Sequence, residues 1–134
     1  MGQEDIPEAV RALLAERVAS ISELETLLLL YRTAPAEWDA QRVASELRIE
    51  RAGAEQQLAA LAARELLALR QEQDAGEHYS YAPASEDLDR AVGELASAYE
   101  KMRVSVVQML YSKPTDGVRH FAEAFRLRKG PSNG

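Results

Sequence analysis

The chain reads as mostly α-helical with one small β-hairpin, an α+β protein, on three observations. Val43, Ala44 and Leu47 form a short apolar helical face, Ile49 follows in a turn, and Ala54, Leu58 and Leu61 face inward from a second helix. Ala44 and Ala54 fall where two crossed helices touch, and leucines take the remaining inward positions, as close helix packing requires. Next, Leu67-Ala68-Leu69-Arg70 and His78-Tyr79-Ser80-Tyr81-Ala82 both alternate, on either side of the turn-forming Gln73-Asp74-Ala75-Gly76-Glu77. That pattern predicts a hairpin with Leu67 and Leu69 on one face, and Tyr79 and Tyr81 on one face of its mate. Finally, Leu88, Val92, Leu95, Tyr99, Met102, Val106 and Met109 recur at alternating steps of four and three, a heptad seam on one long helix.

The other elements follow in chain order. Pro7 suits the first turn of a helix that carries Val10, Leu13, Leu14, Val18 and Ile21. Ser20 or Ser22 can cap a second helix, with Glu23 and Glu25 in its first turn. Leu24, Leu27, Leu28 and Tyr31, widened by Leu29 and Leu30, mark it as the central buried helix. Thr33-Ala34-Pro35-Ala36 ends it. Glu37-Trp38-Asp39 predicts a brief strand, with Asp39 capping the next helix. The helix pair and hairpin come next, and Leu66-Leu67 leads into the first strand. Pro83 closes the hairpin, and Ser85, Glu86 and Asp87 open the long helix, expected over residues 85–111 without a break. Val107 and Leu110 broaden its stripe near the end. Lys113-Pro114 breaks it, and Val118, Phe121, Ala122 and Phe125 predict a last basic helix with Arg119, Arg126, Arg128 and Lys129 around it. That stripe either docks a partner or seals the core beneath the long helix. The order helix, helix, short strand, helix, helix, hairpin is that of a winged helix domain. The expected organisation is an N-terminal helix (1–20), a winged helix-turn-helix domain (21–84), a long dimerisation helix (85–112), and a basic helix with a flexible tail (113–134). The seam must be buried, either by a second copy of the chain, which is the expectation taken here, or by the chain's own core.

Composition narrows the function. A chain of 134 residues can bury a core without staples, and it contains no cysteine, which excludes disulfides and thiolate metal sites. The longest apolar run, Leu58–Ala63, is too short to span a bilayer, and the acidic start Met1–Asp5 is unlike a secretory signal. A soluble cytoplasmic protein is expected, without a membrane partner. The formal charge of −6 is uneven: residues 1–38 carry −4, 39–82 carry −3, 83–112 carry −2, and 113–134 carry +3.

The Val43-Ala44-Ser45-Glu46-Leu47 pattern, with this element order, resembles the winged helix-turn-helix transcriptional regulators, in particular the MarR-like and PadR-like groups. The likeness covers about residues 21–82. It implies a dimeric DNA-binding regulator whose reading helix runs from Arg51 to Arg64. The position where such families carry a capping serine holds Glu50, and the glycine that usually follows the reading helix is replaced by Glu65. Arg42, Arg48, Arg51, Arg64 and Arg70 are the candidate phosphate contacts, and Gln56 and Gln57 have the amide geometry to read adenine edges. Glu46, Glu50 and Glu55 lie on or near that surface, and the wing tip carries Glu72, Asp74 and Glu77 where DNA-touching wings tend to be basic. A carboxylate at Glu55 either accepts from cytosine or is simply solvated. A second function therefore stands beside the first: a winged-helix interaction module whose acidic face binds a protein.

Enzymatic chemistry has no foothold in the pattern. His78 and His120 are far apart, and no nucleophile elbow, phosphate loop or dinucleotide fingerprint is present. No cofactor, metal or catalytic residue is expected. A small-molecule effector pocket between the long helix and the wing domain would draw on Trp38, Tyr31 and Tyr99, residues that core packing explains equally well.

Overall fold

A computed structural model describes residues 6–112. Its elements are α1 (Glu8–Glu16), α2 (Ile21–Thr33), α3 (Ala40–Leu47), α4 (Arg51–Ala63), β1 (Leu67–Glu72), β2 (Gly76–Tyr81), α5 (Glu86–Lys101) and α6 (Arg103–Ser112). The basic helix and tail expected over 113–134 lie outside the described residues.

Local chemistry sets most boundaries. Ser20, not Ser22, caps α2 by accepting from Glu23 N at 3.1 Å, while the Glu23 carboxylate reaches back to Ala19 N at 2.8 Å. Asp39 caps α3 through Arg42 N at 2.8 Å, and Ser85 caps α5 through Leu88 N at 3.1 Å. Trp38 forms the brief strand as a bridge to Tyr79, with both backbone N–H groups donating across at 2.8 Å. That bridge fastens β2 to the start of α3, so the hairpin and the helix pair are held as one unit.

The core is built around α2. Leu24, Leu27, Leu28 and Leu30 are fully buried there, and Val10, Leu13 and Leu14 of α1, Val43 of α3, and Ala54, Leu58 and Leu61 of α4 join the same cluster. Each such leucine withdrawn from water contributes about 1.5–3 kcal/mol before ordering costs. The hairpin is antiparallel with Leu67 opposite Tyr81 and Leu69 opposite Tyr79. The two strands run longer than their alternating cores, and Gly76 takes the positive φ of 84° that closes the turn. The expected shared face is only half used: Leu67 is buried, whereas Leu69, farther along the projecting arm, is 46% exposed.

Two expectations about the long helix are corrected. It is broken at Met102, where φ −133° and ψ 51° leave the helical region, so α5 and α6 replace one continuous rod. The break lets both segments pack against α1, which a straight helix of that length would pass by. The seam is also spent inside the chain. Val92, Leu95, Tyr99 and Val106 are buried, and Leu88, Met102 and Met109 pack against the same core, so the residues expected to meet a second copy seal this one. No described helix is long and apolar enough to cross a membrane.

Candidate nucleic-acid interface

The surface built by α3, α4 and the hairpin is the candidate site. Leu47 and Ile49 pack inward on either side of Arg48, which turns the chain in the left-handed region at φ 59°. This turn crosses α4 over α3 and holds its outer side open. The exposed residues of α4 are Arg51, Ala52, Glu55, Gln56, Ala59 and Ala63, and the inner side is Ala54, Leu58 and Leu61. Glu50 occupies the capping position but makes no side-chain cap to the first turn of α4.

The sequence-predicted contact residues divide into two groups. Arg42, Arg48, Arg51 and Gln56 are exposed on this surface. Arg42 stacks its guanidinium 4.6 Å from the centre of the Trp38 ring and donates to the Glu37 carbonyl at 3.1 Å, which leaves the rest of its fork outward. Arg48 has no ion pair among the described residues. Arg51 pairs with Glu55 at 3.1 Å one helical turn along, an exposed pair worth only about 0.3–0.5 kcal/mol. Arg51 and Glu55 also line a crevice of about 300 Å³ that α4 shares with Ala75, Gly76, Glu77 and Tyr79 of the hairpin.

Gln57, Arg64 and Arg70 belong elsewhere. Gln57 is half-buried, and its amide oxygen accepts from the Oγ1 of fully buried Thr26 at 2.9 Å, so it ties α4 to α2. Arg64 pairs with Glu23 and donates to the Arg17 carbonyl at 3.1 Å, while Arg17 donates to the Arg64 carbonyl in return. That reciprocal pair clasps the end of α4 to the α1–α2 link. Arg70 grips Glu37 with two nitrogens at 2.8 and 2.7 Å and reaches Glu72 at 3.5 Å. The Arg70 hydrogen bonds hold the Glu37 carboxyl below its ordinary value, and the same bonds raise Arg70. Three of the seven candidates thus serve the fold, because partners 31 to 41 residues away in sequence claim them or, for Arg70, a carboxylate 33 residues away does. Glu37, Thr26 and Glu23 are those partners, and no spacing rule points to any of them.

The electrostatics of the surface are mixed. Its exposed arginines stand among Glu46, Glu50 and Glu55, and the hairpin adds Glu72, Asp74 and Glu77. His78, opposite Arg70 on the hairpin, has a buried Nε2 that lies 3.5 Å from Glu72. At the edge of this face, a cleft of about 530 Å³ opens between α2, the end of α3 and the α5–α6 joint, and Glu46 and Arg48 line it. Tyr99 lines it, with Arg103 stacked 4.8 Å from its ring, but the other two aromatic candidates do not. Trp38 instead donates from Nε1 to Thr33 Oγ1 at 2.9 Å, and Tyr31 packs edge-on against Tyr81 with ring centres 5.1 Å apart.

With the geometry in place, solved structures supply the comparison. The chain is similar to a homodimeric winged helix-turn-helix DNA-binding domain from Mycobacterium bovis, described as a possible ArsR-family transcriptional regulator. Identity is 22%, coverage is 68% of this chain and 79% of that one, and the TM-score is 0.53. It is also similar to MepR, a transcription regulator of the Staphylococcus aureus multidrug efflux pump MepA, at 13% identity. There 93% of this chain and 90% of that chain are covered, with a TM-score of 0.52. This chain has the winged helix fold. YusO from Bacillus subtilis shares it at 9% identity over 90% of this chain and 85% of that one, with a TM-score of 0.51. No family model matches the sequence, and no curated protein does. In winged helix terms, α3 and α4 are the helix-turn-helix and β1–β2 is the wing.

Proposed function

We propose that this chain is a non-enzymatic, DNA-binding transcription regulator that acts in the cytoplasm as a homodimer and presents α4 to the major groove. The observation that carries this reading is the open outer side of α4 beside the hairpin, with Arg42 and Arg48 nearby, whose guanidinium groups no carboxylate holds among the described residues. The descriptions of the Mycobacterium bovis domain as DNA-binding and homodimeric, and of MepR as a transcription regulator, support it.

The test is duplex binding across a salt series. With Arg42, Arg48 and Arg51 as phosphate contacts, log affinity falls with log salt at a slope of roughly −3 per protomer. Arg48→Ala flattens that slope by about 1, and Arg64→Ala leaves it unchanged. Absence of binding to any genomic duplex at low salt overturns the proposal.

The dimer needs a surface other than the seam. The outer side of α6 offers Val104 and Tyr111, 68% and 77% exposed and two turns apart on one helix. We assign the self-contact there. A Val104→Glu, Tyr111→Glu double variant is expected to sediment at monomer mass at micromolar concentration, and a persisting dimer refutes the assignment.

One observation favours a second reading. The carboxylates of the wing and of Glu46 and Glu50 make the surround acidic, and an acidic wing is repelled by phosphate but attracted to a basic protein. If duplexes fail to bind while a lysine-rich peptide binds and loses affinity in Glu72→Lys, the interaction-module reading replaces the first.

A further inference from the structure

Gln56 stands alone on the reading helix. Its four helical neighbours, Ala52 and Gly53 one turn back and Ala59 and Ala60 one turn on, carry at most a methyl group. Its own amide has no hydrogen-bond partner among the described residues, and the residue is exposed. The other groups of α4 able to touch a base edge are engaged: Gln57 lies against Thr26, Arg64 is clasped by Glu23 and Arg17, and Arg51 and Glu55 face each other along the hairpin crevice. Among the described residues, the exposed polar group of α4 left without a partner is thus one primary amide, bordered one turn either side by alanine and glycine.

Resting on the DNA-binding reading, we infer that Gln56 is the specificity-determining residue and that it selects adenine in an A·T-rich half-site. The chemistry is complementary. An amide offers one donor side and one acceptor side, which match the N7 acceptor and N6 donor of adenine as a bidentate pair. Guanine presents two acceptors on the same edge, so the amide carbonyl is left facing an oxygen. These small neighbours reinforce the choice, because the Ala52 and Ala59 methyl groups flank the amide and pack against the C5-methyl group of thymine. Side chains this small also let the helix axis approach the groove floor, which a residue as short as glutamine needs. Arg51, the other exposed donor on α4, is assigned to phosphate in the DNA-binding reading, which leaves the base edge to Gln56.

The experiment is selection from a fully randomised duplex library with the whole chain at low salt, repeated with Gln56→Ala and Gln56→Arg. The inference expects enriched duplexes with A·T pairs at the positions α4 protects, discriminated roughly 10- to 100-fold over G·C. Gln56→Ala should flatten that preference, and Gln56→Arg should move it toward guanine. Enrichment of G·C pairs at those positions, or an A·T preference that survives Gln56→Ala, overturns the inference and leaves the regulator reading intact. Failure to retain any duplex overturns the regulator reading, and this inference with it.

Discussion

The two ends of α4 carry the same residue to opposite uses. Arg51 at its start has a side chain 65% exposed and one weak partner on the same helix. Arg64 just past its end is 28% exposed and is held by Glu23 and by the carbonyl of Arg17. Both look like phosphate contacts in a linear reading. The difference is that one end of the helix projects beside the hairpin and the other lies on the α1–α2 link, so availability to a partner is set by what the fold brings alongside. The same contrast separates Gln56 from Gln57: adjacent residues on a helix point about 100° apart, and only one of them finds Thr26.

Substitutions can break or sharpen this contrast between an anchored and an open side. The largest effect is expected on the anchored side, where Leu58→Ala removes a fully buried side chain and costs about 2–5 kcal/mol, read by urea denaturation. Ala59→Ser, one residue on and exposed, should stay within about 0.5 kcal/mol in the same measurement. Arg64→Ala leaves a Glu23 carboxylate, whose side chain is 13% exposed, without its cationic partner and releases the hydrogen bond to the Arg17 carbonyl. Its expected cost is about 1–2 kcal/mol, less than for a fully buried pair because solvent reaches both partners. Arg51→Ala should cost no more than about 0.5 kcal/mol, and equal losses at the two arginines would erase the contrast.

A stabilising change is expected at Glu65, which sits at φ 71° just beyond the end of α4. Glu65→Gly relieves the left-handed strain of a side-chain-bearing residue and gives up a 3.6 Å exposed ion pair to Arg17. The net gain is about 0.5–1 kcal/mol, visible as a higher Tm. The smallest effect concerns the wing clamp. The folded-state value of the Glu37 carboxyl lies below its ordinary 4.5. The clamp's contribution is therefore complete above that value and is lost as pH falls through the folded-state one. Wild type and Glu37→Gln should differ in Tm at pH 7 and converge near pH 2, whereas a difference that persists in acid would mean that packing and not charge fastens the wing.

Much of the fold was legible in the residues. Apolar periodicity marked the helices, Ser20 or Ser22, Asp39 and Ser85 marked their starts, and the tyrosine alternation marked the hairpin, because each of these signals acts within a few residues of itself. Glu65 illustrates how far a local signal goes: glycine is the usual occupant of that position in the families the sequence resembles, and the backbone there takes the positive φ that glycine tolerates best. The break at Met102 had no such mark. Neither proline nor glycine stands there, and the chain bends because α1 offers an apolar surface to both halves.

The sequence by itself determined the order of helices and strands, which side of each is apolar, and that the surface around α4 is acidic, since periodicity, capping and charge are properties of neighbours along the chain. Only the tertiary structure decided that the heptad seam packs on its own core, that Gln57, Arg64 and Arg70 meet Thr26, Glu23 and Glu37, and that Gln56 has no partner among the described residues. Those outcomes depend on partners 31 or more residues away, and a side chain's use is fixed by whichever group the packed core places within hydrogen-bond reach.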